Sequence, residues 1–222
     1  MDKKDYTSKL ETVIKQMLIP LNGIPLNLVI ESICGYKIIP FDNSSKKDLT
    51  VLNKLIKAVE NAGKIINKKG ILRRRPNEVG NDIESYIKDS LNKIGYLSDI
   101  PKTKNGRQKA MGYPDIEFID EFERINYLEC KTYNIENLET TQRSFYLSPS
   151  EEFKITKDAH HFAVSFEIFT ENRKRLFNVY KCKSWKIITL EDLDVDVKYE
   201  FNSDNSRMYA KNMILAEGKF TS

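Results

Sequence analysis

The sequence lacks the residues and segments that define several classes of protein. Its three cysteines, Cys34, Cys130 and Cys182, lie far apart and form no Cys-x-x-Cys pair. A disulfide framework or a zinc site is therefore not expected, and a reducing cytoplasm is the expected location. No apolar run approaches the roughly 20 residues of a membrane helix. The charged start, Met1-Asp-Lys-Lys-Asp, is unlike a signal peptide, and we expect no membrane association.

Histidine and net charge are also scarce. The two histidines, His160 and His161, have no third metal ligand or paired nucleophile at a suitable spacing, so a structural or DNA-proximal position is expected. The formal net charge is only +4. The basic residues are nevertheless clustered, at Lys68-Lys69 with Arg73-Arg74-Arg75 and at Lys102, Lys104, Arg107 and Lys109. Such clustering suits a polyanion such as DNA, although two solvated faces would give the same pattern.

The length and composition of the sequence indicate a folded chain. With 222 residues, 40% hydrophobic and 31% charged, the chain suits one domain with a sizeable core. Apolar residues at helical spacing predict helices over about 5–19, 26–33 and 47–67. We expect residues 1–72 to form a helical N-terminal part packed on a core of residues 73–222. In that core, Asn77 and Gly95 are expected to delimit another helix, and a buried strand at 162–169 turns at 171–175 into a second strand.

The pattern that carries chemistry lies in residues 113–131. Asp115 alternates with apolar residues before a turn, and Glu129 and Lys131 alternate with apolar residues after it. A hairpin turning around Phe122 would place Asp115 opposite Glu129. Two carboxylates that close repel each other unless a cation lies between them, and Mg²⁺ is the natural occupant. The alternative is an ordinary exposed strand face with a cross-strand Lys–Glu pair.

Two segments resemble one nuclease superfamily. Pro114-Asp115, thirteen intervening residues and Glu129-Cys130-Lys131 resemble the PD-(D/E)xK signature of the restriction-endonuclease-like nucleases. The pattern Gly80-x-x-x-Glu84, followed by Ile87, Leu91 and Gly95-Tyr96, resembles the helix that precedes this signature. The resemblance covers roughly residues 78–134. It implies an α/β fold in which helices flank a central mixed β-sheet, with the helical N-terminal part added to it.

The resemblance also implies a metal site. One or two Mg²⁺ ions would be held by Asp115, Glu129 and the backbone carbonyl of Cys130. The helix of this family supplies an acidic residue that completes the site, for which Glu84 fits and Glu78 competes. The expected catalytic residues are therefore Asp115, Glu129, Lys131 and Glu84. Lys131 would position the attacking water or stabilise developing negative charge.

The implied substrate is double-stranded DNA. Basic and amide side chains near the signature are expected to contact it: Arg73, Arg74, Arg75, Lys102, Lys104, Asn105, Arg107, Gln108, Lys109, Gln142 and Arg143. Arg107 and Gln108 can each make bidentate contacts to a base edge. A compact chain with its own recognition insertions and no Walker motif resembles a Type II restriction endonuclease, which implies a homodimer on a palindromic site and a DNA methyltransferase as its system partner. A Holliday-junction resolvase, a repair nuclease and a non-catalytic DNA-binding module on a degenerate core are the alternatives.

Overall fold

The computed structural model describes residues 3–19, 21–134 and 144–198. The chain divides into two units, one of residues 1–24 and 195–222 and one of residues 25–194. Four α-helices are described: α1 (Lys3–Met17), α2 (Leu26–Cys34), α3 (Lys46–Lys69) and α4 (Val79–Lys93). The strands are β1 (Leu21–Pro25), β2 (Ile71–Arg73), β3 (Leu97–Asp99), β4 (Ile116–Ile119), β5 (Ile125–Tyr133), β6 (His160–Lys174), β7 (Phe177–Thr189) and β8 (Asp194–Val197).

The main sheet has six strands in the order β2-β7-β6-β5-β4-β3. The pair β5–β6 is parallel and the other four pairs are antiparallel, so the sheet is mixed. Helices α3 and α4 pack against it. This is the α/β architecture expected from the resemblance, and the predicted fold class is confirmed. A second, two-stranded sheet pairs β1 with β8.

The helices end where capping residues occur in the sequence. The Ser45 side chain accepts the backbone N–H of Asp48 at the start of α3, and Gly35 ends α2 in a left-handed conformation. The expected cap at Asn77 is wrong, because this residue lies within a 3₁₀ turn, Pro76–Glu78, that leads directly into α4.

One continuous apolar core fills the space between the helices and one face of the sheet. Its members come from α3, α4 and strands β4 to β7, and they include Leu55, Ile66, Ile83, Ile87, Leu91, Ile116, Phe118, Leu128, Val164 and Phe166. The opposite face is also covered. The Tyr127 hydroxyl accepts the backbone N–H of Thr156, and the His161 ring lies against Tyr113. Because β5 is central and covered on both sides, the side chain of Glu129 is buried with it.

The turn between β4 and β5 fixes how these strands pair. Asp120 accepts the backbone N–H groups of Phe122 and Arg124, at 2.8 and 3.0 Å, which closes the turn around Phe122 as expected. The Arg124 guanidinium bridges Asp120 and Asp48 of α3 and so ties the turn to the helix layer. Ile116 and Leu128 are register partners across this hairpin, which confirms the predicted hairpin register.

The hairpin of β6 and β7 is longer than expected. Pairing continues to Lys174 and Phe177, so the predicted turn at 171–175 is wrong for its first four residues, which are strand. The strand β6 is buried as far as Ile168 and exposed from Phe169 onward. The outer part of this hairpin therefore projects beyond the core.

Gly70 and Gly80 differ in the space that surrounds their Cα atoms. A Cβ on Gly70, which has φ of +72° and ψ of 150°, would lie 2.6 Å from the Val179 Cγ1 atom of β7. Gly70 thus allows β2 to pair closely with β7 immediately after α3 ends. Gly80 does not mark a close backbone approach of this kind, because an added Cβ there would meet nothing within 4 Å.

Gly70→Ala should destabilise the protein, because its backbone conformation is nearly restricted to glycine and the added methyl group clashes with β7. We expect a loss of about 1–3 kcal/mol in the free energy of unfolding, which corresponds to a decrease of roughly 3–10 °C in the Tm. Gly80→Ala is the matched control and should leave the Tm unchanged or slightly higher. Equal Tm values for the two variants would contradict the assigned role of Gly70. Thermal unfolding followed by circular dichroism measures both.

Candidate active site

A cleft of about 1180 Å³ opens at the ends of β4 and β5. Its walls come from α4, from the segment before β4, and from β5, β6 and β7. Side chains that the sequence singled out are among its lining residues: Glu84, Asp115, Glu129 and Lys131. The structure therefore brings these four predicted catalytic side chains together in one concave site.

Asp115 and Glu129 are neighbours across the β4–β5 pair. Asp115 directly precedes Ile116, whose register partner is Leu128, so the next position along β5 is Glu129. One carboxylate oxygen of Asp115 accepts the backbone N–H of Cys130 at 2.8 Å. Burial raises the pKa of Glu129 to about 7, and the nearby Asp115 carboxylate contributes to the same shift. Burial also raises the pKa of Asp115.

Lys131 is the cation next to this pair. Its Nζ atom donates a hydrogen bond to Glu129 Oε1 at 2.6 Å, on the same face of β5. Burial lowers the pKa of Lys131, but the Glu129 and Asp115 carboxylates outweigh that effect and the net shift is upward. Lys131 is therefore held as an ammonium ion, which suits charge stabilisation and does not suit a general base.

The two competing acidic residues of α4 and its preceding turn have different surroundings. Glu84 lines the cleft and is half-buried; burial, and then the nearby Asp115 carboxylate, raise its pKa to about 7. Glu78 is partly buried, and its carboxylate accepts the backbone N–H of Arg74 at 3.1 Å. Glu78 is thus used to close the turn before α4, whereas Glu84 faces the other carboxylates.

One buried polar atom of the site lacks a hydrogen-bond partner. Glu129 Oε2 is buried and has no hydrogen-bond partner among the described residues. Within residues 3–19, 21–134 and 144–198, no three His, Cys, Asp or Glu side chains form a group arranged to hold a metal ion. Lys131 is the cation paired with Glu129, through its Oε1 atom.

Sequence reasoning missed Lys154. This lysine is only 2% exposed, and its Nζ atom has no hydrogen-bond partner in the part of the chain that the structure describes. Its ammonium interacts electrostatically with Asp115, Glu129 and Glu84. Lys154 lies 23 residues beyond Lys131 in a segment without regular structure, so no local pattern in the sequence connects it with the signature.

The first predicted DNA-contact cluster lies near the cleft but is partly neutralised. The Arg73 guanidinium makes two hydrogen bonds to Asp82, at 2.7 and 2.6 Å. The Arg74 guanidinium lies over the Phe177 ring, 5.5 Å from its centre. Arg75 is exposed and is followed by Pro76 and Asn77, which line the cleft.

The second predicted cluster does not line the cleft. Lys102 and Gln108 form a bridge that closes a small turn through Asn105. Gln108 donates to Asp99 and Arg107 lies 3.9 Å from Glu152, while Lys104 lies over the Phe153 ring. Lys109 lines a smaller neighbouring cavity that also contains Lys154. Gln142 and Arg143 lie outside the described residues, and the DNA contacts of both clusters stay predictions.

Three aromatic and histidine positions complete the surroundings. His160 and His161 are buried; His161 Nδ1 lies 2.6 Å from the Tyr113 hydroxyl, and His160 Nδ1 lies 2.9 Å from the Ile39 carbonyl oxygen. These hydrogen bonds within the folded protein indicate a structural role for both histidines. Tyr146 does not lie in the core; it is half exposed and lines the cleft, with Lys131 Nζ 6.0 Å from its ring centre.

The fold and this cleft define an α/β protein with a restriction-endonuclease-like core. Residues 20–212 match the family model described as the Type II restriction enzyme MjaV family. The chain is also 40% identical, over 232 aligned positions that cover 98% of each protein, to the Type II restriction enzyme MjaV of Methanocaldococcus jannaschii. No solved structure matches the chain.

The chain belongs to the Type II restriction enzyme MjaV family and is a site-specific restriction endonuclease of Type II. Membership in this family implies DNA as the substrate, and it supports restriction cleavage over the resolvase, repair-nuclease and non-catalytic alternatives. None of the helices in residues 3–19, 21–134 and 144–198 has the length and apolarity needed to span a bilayer.

The raised carboxyl pKa values predict how the stability of the metal-free protein depends on pH. Glu84 and Glu129 have pKa values of about 7 in the folded protein and an ordinary value of 4.5. Between these values the folded protein binds protons that the unfolded chain has released, so the free energy of unfolding falls as pH rises and levels off above the upper value. In EDTA we therefore expect a higher Tm near about pH 6 than near about pH 8.

Glu84→Gln should flatten this pH dependence and raise the Tm at the higher pH, because one buried charge is removed. Glu60→Gln, which alters an exposed glutamate of α3, is the control and should keep the wild-type pH dependence. A wild-type slope in Glu84→Gln would show that Glu84 is not one of the groups that set it.

Proposed function

We propose that the protein hydrolyses phosphodiester bonds of double-stranded DNA at a specific short sequence, in a reaction that depends on Mg²⁺. The observation that carries the proposal is the meeting of Asp115, Glu129 and Lys131 in one cleft large enough for a nucleic-acid strand. One buried and one partly buried carboxylate beside one ammonium ion match the chemical needs of phosphodiester hydrolysis.

The donor set fits a hard divalent ion. Asp115 and Glu129 supply carboxylate oxygens, and Glu129 Oε2 is buried with no partner among the described residues. We propose the Cys130 carbonyl as the third protein ligand and Glu84, rather than Glu78, as the residue that completes a site for one or two Mg²⁺ ions. Burial, and after it the nearby Asp115 carboxylate, raises the pKa of Glu129 and Glu84. A cation bound between the carboxylates would relieve their repulsion. A bound ion would activate water and neutralise charge on the phosphate.

Lys131 would act directly on the substrate. Because it is held as an ammonium ion, it can donate a hydrogen bond to a non-bridging phosphate oxygen as negative charge develops there. Attack of water on phosphorus breaks one ester bond and leaves a phosphate end and a hydroxyl end. Glu129 keeps the Lys131 ammonium in place through the 2.6 Å hydrogen bond.

We further propose that two copies act as a homodimer on a palindromic site, because two-fold symmetry in the protein then matches two-fold symmetry in the DNA. A DNA methyltransferase that protects the same site would be the system partner and not a stable subunit. We propose the cytoplasm as the place of action.

Digestion of plasmid DNA with purified protein and Mg²⁺ tests the proposal. We expect discrete bands in Mg²⁺, none in EDTA, and one sequence at every cut when the fragment ends are sequenced. Cleavage only of branched DNA would overturn the proposed activity.

Asp115→Ala and Lys131→Ala should each reduce this cleavage by at least about 100-fold, because one removes a metal ligand and the other a charge-stabilising donor. Both variants should still bind duplex DNA in a gel-shift assay without metal. Asp89→Ala, which removes an exposed carboxylate from the same helix as Glu84, should cleave like the wild type. Full activity in Asp115→Ala would refute the assigned site, and a larger loss in Glu78→Gln than in Glu84→Gln would refute the choice of Glu84.

A further inference from the structure

The outer part of the β6–β7 hairpin carries three consecutive cations. Arg173 and Lys174 end β6, and Arg175 begins the turn to β7. All three are exposed, and none has an acidic partner within the described ranges of the chain. The acidic residue nearest to them in sequence, Glu171, is already paired with Lys181 at 2.5 Å. The tip of the hairpin therefore has a net positive charge that the described part of the protein does not neutralise.

The hairpin also connects this tip to the cleft. Ile168, Phe169 and Thr170 of β6 line the cleft, and the strand continues outward from them. A register shift between Thr170 and Asn172 leaves one extra residue in β6 at the point where the hairpin leaves the core. Such a bulge bends a two-stranded ribbon and increases its twist. The charged tip is thus carried on a wall of the active-site cleft.

Strand pairing brings part of a second basic segment to the same hairpin. Arg73 of β2 is the register partner of Asn178 on β7, and the Asn178 side chain donates to the Arg74 carbonyl oxygen at 3.3 Å. The Arg74 guanidinium lies over the Phe177 ring. Asn178 is also the register partner of Arg173, so the first residues of two basic triplets that are 100 residues apart in the sequence flank the same residue of β7.

We propose that the outer β6–β7 hairpin, with Arg173, Lys174 and Arg175 at its tip, is a binding surface for duplex DNA that contacts the backbone phosphates beside the cleft. The inference rests on the proposed function, since it names how the DNA of that reaction is gripped. A two-stranded ribbon fits the major groove, and three cations without acidic partners among the described residues can neutralise phosphates along it.

The test measures the affinity of a fluorescein-labelled duplex in EDTA at several NaCl concentrations. In the triple variant Arg173→Ala, Lys174→Ala and Arg175→Ala, we expect the slope of log affinity against log salt to fall by about 2–3, at roughly 0.9 for each phosphate that is no longer neutralised. The matched control removes the same charge from exposed lysines of α3, with Lys46→Ala, Lys57→Ala and Lys64→Ala, and should keep the wild-type slope.

An unchanged slope in the hairpin variant, with the wild type binding DNA, would overturn this inference and leave the proposed function intact. Absence of DNA binding by the wild type would overturn the proposed function instead. The substituted side chains are exposed, so an unchanged Tm is the expected sign that the variant is folded.

Discussion

The pairing of β4 with β5 in one register is the constraint on which the site depends. Side chains alternate along a strand, so a slip of one residue would exchange the apolar and charged faces of both strands. Asp120 and Arg124 fix the turn and connect it to α3, and this anchorage prevents such a slip. The same register that buries Ile116 and Leu128 sets Asp115 beside Glu129. The register of β4 with β5 thus determines both the packing of the core and the arrangement of the candidate active site.

The unfavourable electrostatic energy of this arrangement lies in the carboxylates, whose charges are removed from water and close together. Glu129 is buried because β5 is central and covered on both faces, and Glu84 lies close enough to Asp115 for their charges to interact. Burial is the main reason that both glutamates have a pKa near 7, and the Asp115 carboxylate contributes to both shifts. The Lys131 and Lys154 ammonium groups partly compensate the negative charge of Asp115 and Glu84. A cluster of carboxylates that is only partly compensated suits the divalent cation proposed for this site.

The resemblance to the nuclease superfamily predicted the fold class. Local patterns predicted most helix boundaries and the hairpin, because alternation and capping act over a few residues. Glu84 could be preferred over Glu78 only weakly from sequence, and the structure shows Glu78 closing the turn at Arg74. Lys154 could not be found, since its relation to Asp115 is purely tertiary. The placement of the basic cluster at 102–109 away from the cleft walls, and the extension of the β6–β7 hairpin, likewise depend on packing between segments distant in sequence.

Strand β6 also sets a length. Ser165 is the register partner of Lys131, and Lys174 is the last residue of the same strand, which has a bulge between Thr170 and Asn172. Nine residue steps at about 3.3 Å each give a reach of no more than roughly 30 Å, which equals about nine base pairs along duplex DNA at about 3.4 Å per step. The number of residues in β6 therefore sets an upper limit on the distance between the residues proposed for bond cleavage and the tip proposed for DNA contact.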